Sequence, residues 1–152
     1  MWLLQVDGDG FESLTTVRPD TYAARVMQDE VFRKYPLPYT VSVIVASLTD
    51  EYAIAEPNDR MRLAQRIFAH ANVEPASHGV LHTLRWREGP APDQPPRYLK
   101  WYPGISNFEY TPVAEVRDSI AFIDGRLCPP GKRCEVMLWT GYANPLDGPL
   151  AV

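Results

Sequence analysis

Two carboxylates one glycine apart and two histidines four residues apart are the side chains of this sequence best suited to chemistry. The run Val6-Asp7-Gly8-Asp9-Gly10-Phe11 closes an apolar stretch, Trp2-Leu3-Leu4-Gln5-Val6, and on an extended chain Asp7 and Asp9 point to the same side. Carboxylates held that close repel, and the repulsion is relieved when one binds a cation or takes up a proton. The pair therefore reads as a metal ligand beside a general base, with an ordinary Asp-Gly turn as the plainer alternative. His78 and His82 have the spacing that puts two imidazoles on one face of a helical turn. Together with Asp9 they make an Asp-His-His set, three protein ligands with a position left for water, as catalytic zinc sites require. An ion there lowers the pKa of its water and polarises a carbonyl, and Asp7, which the ligand set does not need, can take the proton. The remaining histidine, His70, falls at the end of a predicted helix and reads as structural or exposed.

The elements that must position these residues follow from periodicity and punctuation. After the acidic turn, residues 15–19 read as loop, and Asp20 is expected to cap a helix running to about Tyr35, with Tyr22, Val26, Met27 and Phe32 on its buried side. Pro36-Leu37-Pro38 ends it. Tyr39 to Ala46 is β-branched and mostly apolar, the pattern of a strand covered on both faces. A second helix begins near Glu56-Pro57-Asn58-Asp59, buries Met61, Leu63, Ala64, Ile67 and Phe68, and runs out near His70. Asn72 to Ala76 is a short strand leading into Ser77-His78-Gly79-Val80-Leu81-His82. From Arg85 to Phe108 five prolines exclude a regular core element. Thr111-Pro112 starts a third helix with Val113, Val116, Ile120 and Ile123 on one face, and Glu135 to Trp139 is a last strand. Strands alternating with helices predict an α/β fold with parallel strands, in which ligands sit at the carboxyl ends of the strands. Asp7 and Asp9, Ser47, Ser77 and His78, and Trp139 to Tyr142 all fall just after strands and should converge on one face.

The totals bound the class. The 152 residues, 45% hydrophobic and 22% charged, suit one folded domain. A net charge of -4 with scattered Lys and Arg argues against nucleic acid as a partner. The apolar runs are too short to span a bilayer. The apolar opening Met1-Trp2-Leu3-Leu4 and the ending Gly148-Pro149-Leu150-Ala151-Val152 read as a piece cut from a longer protein with other domains. Cys128 and Cys134 bracket the turn-rich Pro129-Pro130-Gly131-Lys132-Arg133. That loop fits a disulfide, which would imply an oxidising compartment, or two shielded free thiols.

Asp7-Gly8-Asp9 followed by Ser77-His78-Gly79-Val80-Leu81-His82 resembles the first two motifs of the NodB-type polysaccharide deacetylases, carbohydrate esterase family four. The form Val-Asp-Gly-Asp-Gly-Phe, the run Glu74-Pro75-Ala76-Ser77-His78 and the later Leu138-Trp139-Thr140-Gly141 are most similar to the deacetylase domains of proteins that process the Pel exopolysaccharide of bacterial biofilms. The resemblance implies an irregular or partial (β/α) barrel, truncated at its C-terminal end. It implies Asp7 as catalytic base and Asp9, His78 and His82 as ligands of Zn2+ or another divalent transition metal. It further implies removal of N-acetyl groups from an amino-sugar polysaccharide in a periplasmic or secreted setting. Two features depart from the family pattern. The place of its arginine and proline motif holds Trp139-Thr140-Gly141-Tyr142-Ala143-Asn144-Pro145, without arginine, and no histidine follows His82 to act as general acid.

Polymer binding calls for aromatic faces. Trp139 and Tyr142, at a strand end, are placed to wall an acetyl pocket, and Trp101 in the long loop, with Trp86 and Tyr102, can stack on sugar rings. The loop aromatics equally suit the role of pinning that loop to the domain. Two other functions use the same residues: a deacetylase-like module that only holds the polymer, and a metal-dependent hydrolase of another amide or ester.

Overall fold

The computed structural model describes residues 3–48, 59–84, 86 and 108–141. Four short strands form a single parallel sheet in sequence order, β1 (Leu4–Val6), β2 (Tyr39–Val43), β3 (Val73–Ser77) and β4 (Val136–Met137). The sheet curls into a half-barrel, compatible with the partial (β/α) barrel expected from the sequence. Register is set by β2, which pairs Leu4 with Tyr39 on one side and Tyr39 with Val73 on the other. Its residues are buried on both faces, apart from a half-buried Thr40, which explains the near-continuous apolar run.

The helices cover the outside. α1 (Ala23–Met27) passes without a break into a wider π-helical turn over Gln28–Phe32. It begins three residues after the expected cap. Asp20 has a left-handed φ of 61°, and Tyr22 is held extended by a bridge to Leu14, so Asp20 caps nothing. β2 also stops earlier than its β-branched run suggests. After Ile44 the chain makes one buried helical turn, α2 (Val45–Leu48). There the amides of Val45 and Ala46 donate to the carbonyls of Gly79 and Val80 (3.1 and 2.9 Å), so a tertiary pairing overrides local propensity.

α3 (Asp59–Phe68) buries Leu63, Ala64, Ile67 and Phe68 as its periodicity predicts, with Met61 half-buried. The Lys132 ammonium ties the end of α3 to the start of β3, donating to the carbonyls of Phe68, His70 and Val73 at 2.9, 2.5 and 2.6 Å. α4 (Pro112–Arg126) begins as expected, with Thr111 Oγ1 accepting from the Ala114 amide at 2.9 Å and proline in the first turn. Its buried face differs from expectation. Val113 and Ile120 are only half-buried, whereas Glu115 and Ser119 are fully enclosed. Strand β3 lies one residue later than predicted, at Val73–Ser77, and β4 is shorter, because only Val136 and Met137 find partners, in Ala76 and Ser77.

One apolar cluster lies between the sheet and the helices, built on Phe32, Val43, Leu48, Leu63, Ile67, Phe68 and Ile123. A second, of Ile44, Val45, Ala46, Val80 and Leu81, lies under the loop that carries the histidines. Cys128 and Cys134 are free thiols, so no disulfide closes their loop. Lys132 closes it, together with Asp124, whose Oδ1 accepts from the Cys134 amide at 2.7 Å. Burial, with Asp124 nearby, pushes the Cys128 thiol up to about 11; burial pushes that of Cys134 to about 12. Among the described residues no helix is long and apolar enough to cross a membrane.

Candidate metal centre

The carboxyl ends of β1, β3 and β4 meet at one point. Beyond β1 the chain turns at once into a single 3-10 turn, Gly8–Gly10, which sits against the end of β2: a Cβ on Gly8 would lie 3.0 Å from Val43 Cα. Asp7 and Asp9 are therefore not neighbours on an extended strand, as the sequence suggests, but flank and occupy a tight turn. Glu12, just after it, is tied to the buried Arg60 of α3 by an ion pair.

Beyond β3, residues 78–80 continue to pair with the β2 side. The His78 amide donates to Val43 O at 2.9 Å, and the carbonyls of Gly79 and Val80 accept from Val45 and Ala46. The segment from His78 to His82 is not helical, so the helical-face rationale for their spacing does not hold. Two left-handed residues bring the rings together instead, Gly79 at φ 91° and His82 at φ 58°, leaving the ring centroids 4.9 Å apart.

Both imidazoles face Asp9. His82 Nε2 lies 2.7 Å from Asp9 Oδ1, and His78 Nε2 lies 3.1 Å from Asp9 Oδ2. Ligand atoms of the three residues all fall within 4.8 Å of one another. The Asp9 side chain is 54% exposed and those of His78 and His82 only 4% and 9%, so the group has buried walls and one open side.

The other ring nitrogen of His78 shows where one ring hydrogen sits. Nδ1 is 2.7 Å from the carbonyl oxygen of Leu138, just past β4, and a carbonyl has no hydrogen to give. Nδ1 therefore carries the proton, and in the neutral ring Nε2 presents a lone pair toward a carboxylate. Two acceptors 3.1 Å apart require a proton or a cation between them. For His82, burial disfavours the imidazolium more than Asp9 favours it, lowering its pKa from the usual value. Two buried imidazoles, one oriented by a backbone carbonyl, with a carboxylate between them, have the donor chemistry of a divalent metal site. Ligand bonds of about 2.0–2.2 Å to zinc place donor atoms roughly 3.3–3.6 Å apart, so an ion fits once the Asp9 carboxylate moves outward from its 2.7 and 3.1 Å contacts. The Asp9, His78 and His82 group can hold a metal ion.

Asp7 is exposed and close enough to His82 to act on its charge. It also borders a cavity of about 120 Å³ between α1 and the sheet, lined by Phe11, Met27, Phe32 and Val41 among others. Trp139 is 44% exposed and follows Leu138 directly; it packs edge-on against Trp86 with ring centroids 5.0 Å apart. Trp86 itself is buried and its indole N–H donates to Thr140 O at 2.9 Å, so this ring pins the segment and offers no face to a ligand. Tyr142, Trp101 and Tyr102 lie outside the described residues. Ser47 is buried, donating to Ile44 O, and His70 is half-buried, 3.3 Å from the Gln28 amide nitrogen.

Residues that sequence reading passed over support the loop from below. Glu115 Oε1 accepts from the amides of Leu81 (2.8 Å) and Thr83 (3.4 Å), and burial raises its pKa to about 7 against the pull of those amides. Ser77 Oγ donates to Ser119 Oγ at 2.6 Å and accepts from the Gly79 amide at 3.0 Å. The signal was the four-residue spacing of Glu115 and Ser119 beside Ile123, masked because polar residues on a helix usually face water. No family model, no curated protein and no solved structure matches the chain.

Proposed function

We propose that this chain is a metal-dependent deacetylase acting on an N-acetylated amino-sugar polysaccharide of the Pel type, in a periplasmic or secreted setting. The observation that carries the reading is the exposed Asp9 carboxylate flanked by two buried imidazoles, one with its tautomer fixed by Leu138 O. Asp9, His78 and His82 would hold Zn2+ or another divalent transition metal, which supplies Lewis acidity toward the acetamide oxygen. Asp7 serves as general base, accepting a proton from the water whose oxygen bonds to the acetamide carbon. The C–N bond then breaks, acetate forms, and the amine leaves with a proton from a general acid. Within these 152 residues no histidine follows His82 to serve as that acid. Trp139, with its partly exposed indole beside the histidine loop, stacks on a sugar ring, joined by Tyr142 and Trp101.

The test is acetate release from an N-acetylated amino-sugar oligomer by the zinc-loaded chain and by Asp7→Asn. The wild type should release acetate. Asp7→Asn should keep its zinc and lose roughly 10²- to 10⁴-fold in rate, the usual worth of a general base. A second reading, a module that binds the polymer without cleaving it, is favoured by the absence of a later histidine and of an arginine within 139–145. Zinc and oligomer bound with no acetate released would select it.

A further inference from the structure

We infer that Glu115 is the positioning residue of the metal centre, its buried carboxylate holding the backbone that presents His78 and His82 to Asp9. The inference rests on the metal reading of the Asp9, His78 and His82 group and adds to it the part that sets its geometry. Glu115 stands in the first turn of α4, and its residue is fully buried. One of its oxygens, Oε2, has no hydrogen-bond partner among the described residues. A carboxylate enclosed in that way is an unfavourable choice for a helix face whose other enclosed members are Ala114, Val116, Ser119 and Ile123. Nothing in the packing of α4 against the sheet asks for it.

What its other oxygen does is specific to the histidine loop. Oε1 accepts from the amide of Leu81, immediately before His82, and from that of Thr83, immediately after it. It also fills the concave side of the turn at Gly79, immediately after His78: a Cβ there would lie 2.6 Å from Oε1. One atom thus sits against the chain next to both ligands. Ser119, one turn along α4, anchors the start of the same loop through Ser77. Because His82 adopts a left-handed φ, its ring direction depends on the backbone on either side of it being held, and Glu115 bonds to that backbone at the amides of Leu81 and Thr83.

The test measures zinc affinity by calorimetry at a temperature well below unfolding, together with the visible spectrum of the Co2+-loaded chain. It compares wild type with Glu115→Gln, Glu115→Asp and Glu115→Ala. Gln keeps an oxygen at the same reach, whereas Asp keeps the charge but is one methylene too short. Glu115→Gln should bind zinc within about threefold of wild type and give its Co2+ spectrum. Glu115→Asp and Glu115→Ala should bind roughly 10- to 100-fold more weakly, as loss of support behind a ligand does, with an altered spectrum. If Glu115→Ala does not fold, the contrast of Asp with Gln decides the matter. Asp or Ala variants that melt lower yet match wild type in affinity and spectrum would overturn the inference, leaving Glu115 a structural residue. A wild type that takes up neither Zn2+ nor Co2+ would overturn the metal reading, and this inference with it.

Discussion

The two sides of the candidate metal centre are built differently. The histidine side, residues 77–83, is enclosed: backbone pairing to β2, the Leu138 carbonyl, Ser119 and Glu115 all bear on it, and both imidazoles are nearly inaccessible. The acidic side, residues 7–12, is a short turn whose Asp7 and Asp9 reach solvent, fixed by the close approach of Gly8 to Val43 and by the pairing of Glu12 with the buried Arg60. The difference assigns separate tasks. Buried imidazoles are costly to reorient and so define where a cation sits, whereas an exposed carboxylate can close on the cation and still leave an open side for water or substrate.

The largest test of that contrast removes one ligand from each side. His78→Ala and Asp9→Ala should both reduce bound zinc from near one equivalent to near none, read by elemental analysis. The metal-free proteins should part company in thermal unfolding. His78→Ala leaves Leu138 O unpartnered and a hole behind the loop, and should cost about 2–3 kcal/mol. Asp9→Ala removes the partner of both imidazoles but at a half-exposed position where water can replace it, and should cost less, about 1 kcal/mol. Equal losses of stability would erase the distinction between the two sides.

A second test titrates the enclosed side. Glu115 has a folded pKa of about 7 against an ordinary 4.5, so between those values the folded state binds more protons than the unfolded one. Stability from this group is fully present below pH 4.5 and is lost as pH rises through 7. For the metal-free chain the loss is on the order of 2–3 kcal/mol across that window. Glu115→Gln should flatten that part of the stability curve, measured by denaturant unfolding from pH 4.5 to 8; the same slope in both proteins would place the titration elsewhere.

The smallest test adds one methyl to each side. Gly79→Ala puts a Cβ on a residue at φ 91° and against Glu115 Oε1, and should cost about 1–3 kcal/mol. Gly10→Ala meets nothing within 4 Å and should be within about 0.5 kcal/mol of neutral. Urea midpoints of the two variants compare them directly, and a Gly10→Ala loss as large as that of Gly79→Ala would show the acidic turn to be as confined as the histidine loop.

Much of this arrangement was legible in the residues. The apolar stripe of Leu63, Ala64, Ile67 and Phe68, the Thr111-Pro112 start of α4 and the doubly covered β2 follow from periodicity and capping, which act over a few residues. Asp9, His78 and His82 were identifiable as partners because they fall just after the ends of two parallel strands, β1 and β3. Two readings failed for a shared reason. Asp20 as a helix cap and the continuation of β2 to Ala46 were local inferences, displaced by the Leu14 bridge to Tyr22 and by pairing of Val45 and Ala46 with the histidine loop.

By itself, then, the sequence determined the order of strands and helices and which three side chains face one another at the strand ends, since hydrophobic patterning and parallel topology leave few other placements. Only the tertiary structure decided how they meet. The histidines converge through left-handed residues rather than a helical face, the tautomer of His78 is set by a carbonyl sixty residues away, and Glu115 is enclosed instead of solvated. Each of those depends on contacts between segments distant along the chain, where burial and hydrogen bonding, not local propensity, fix the conformation.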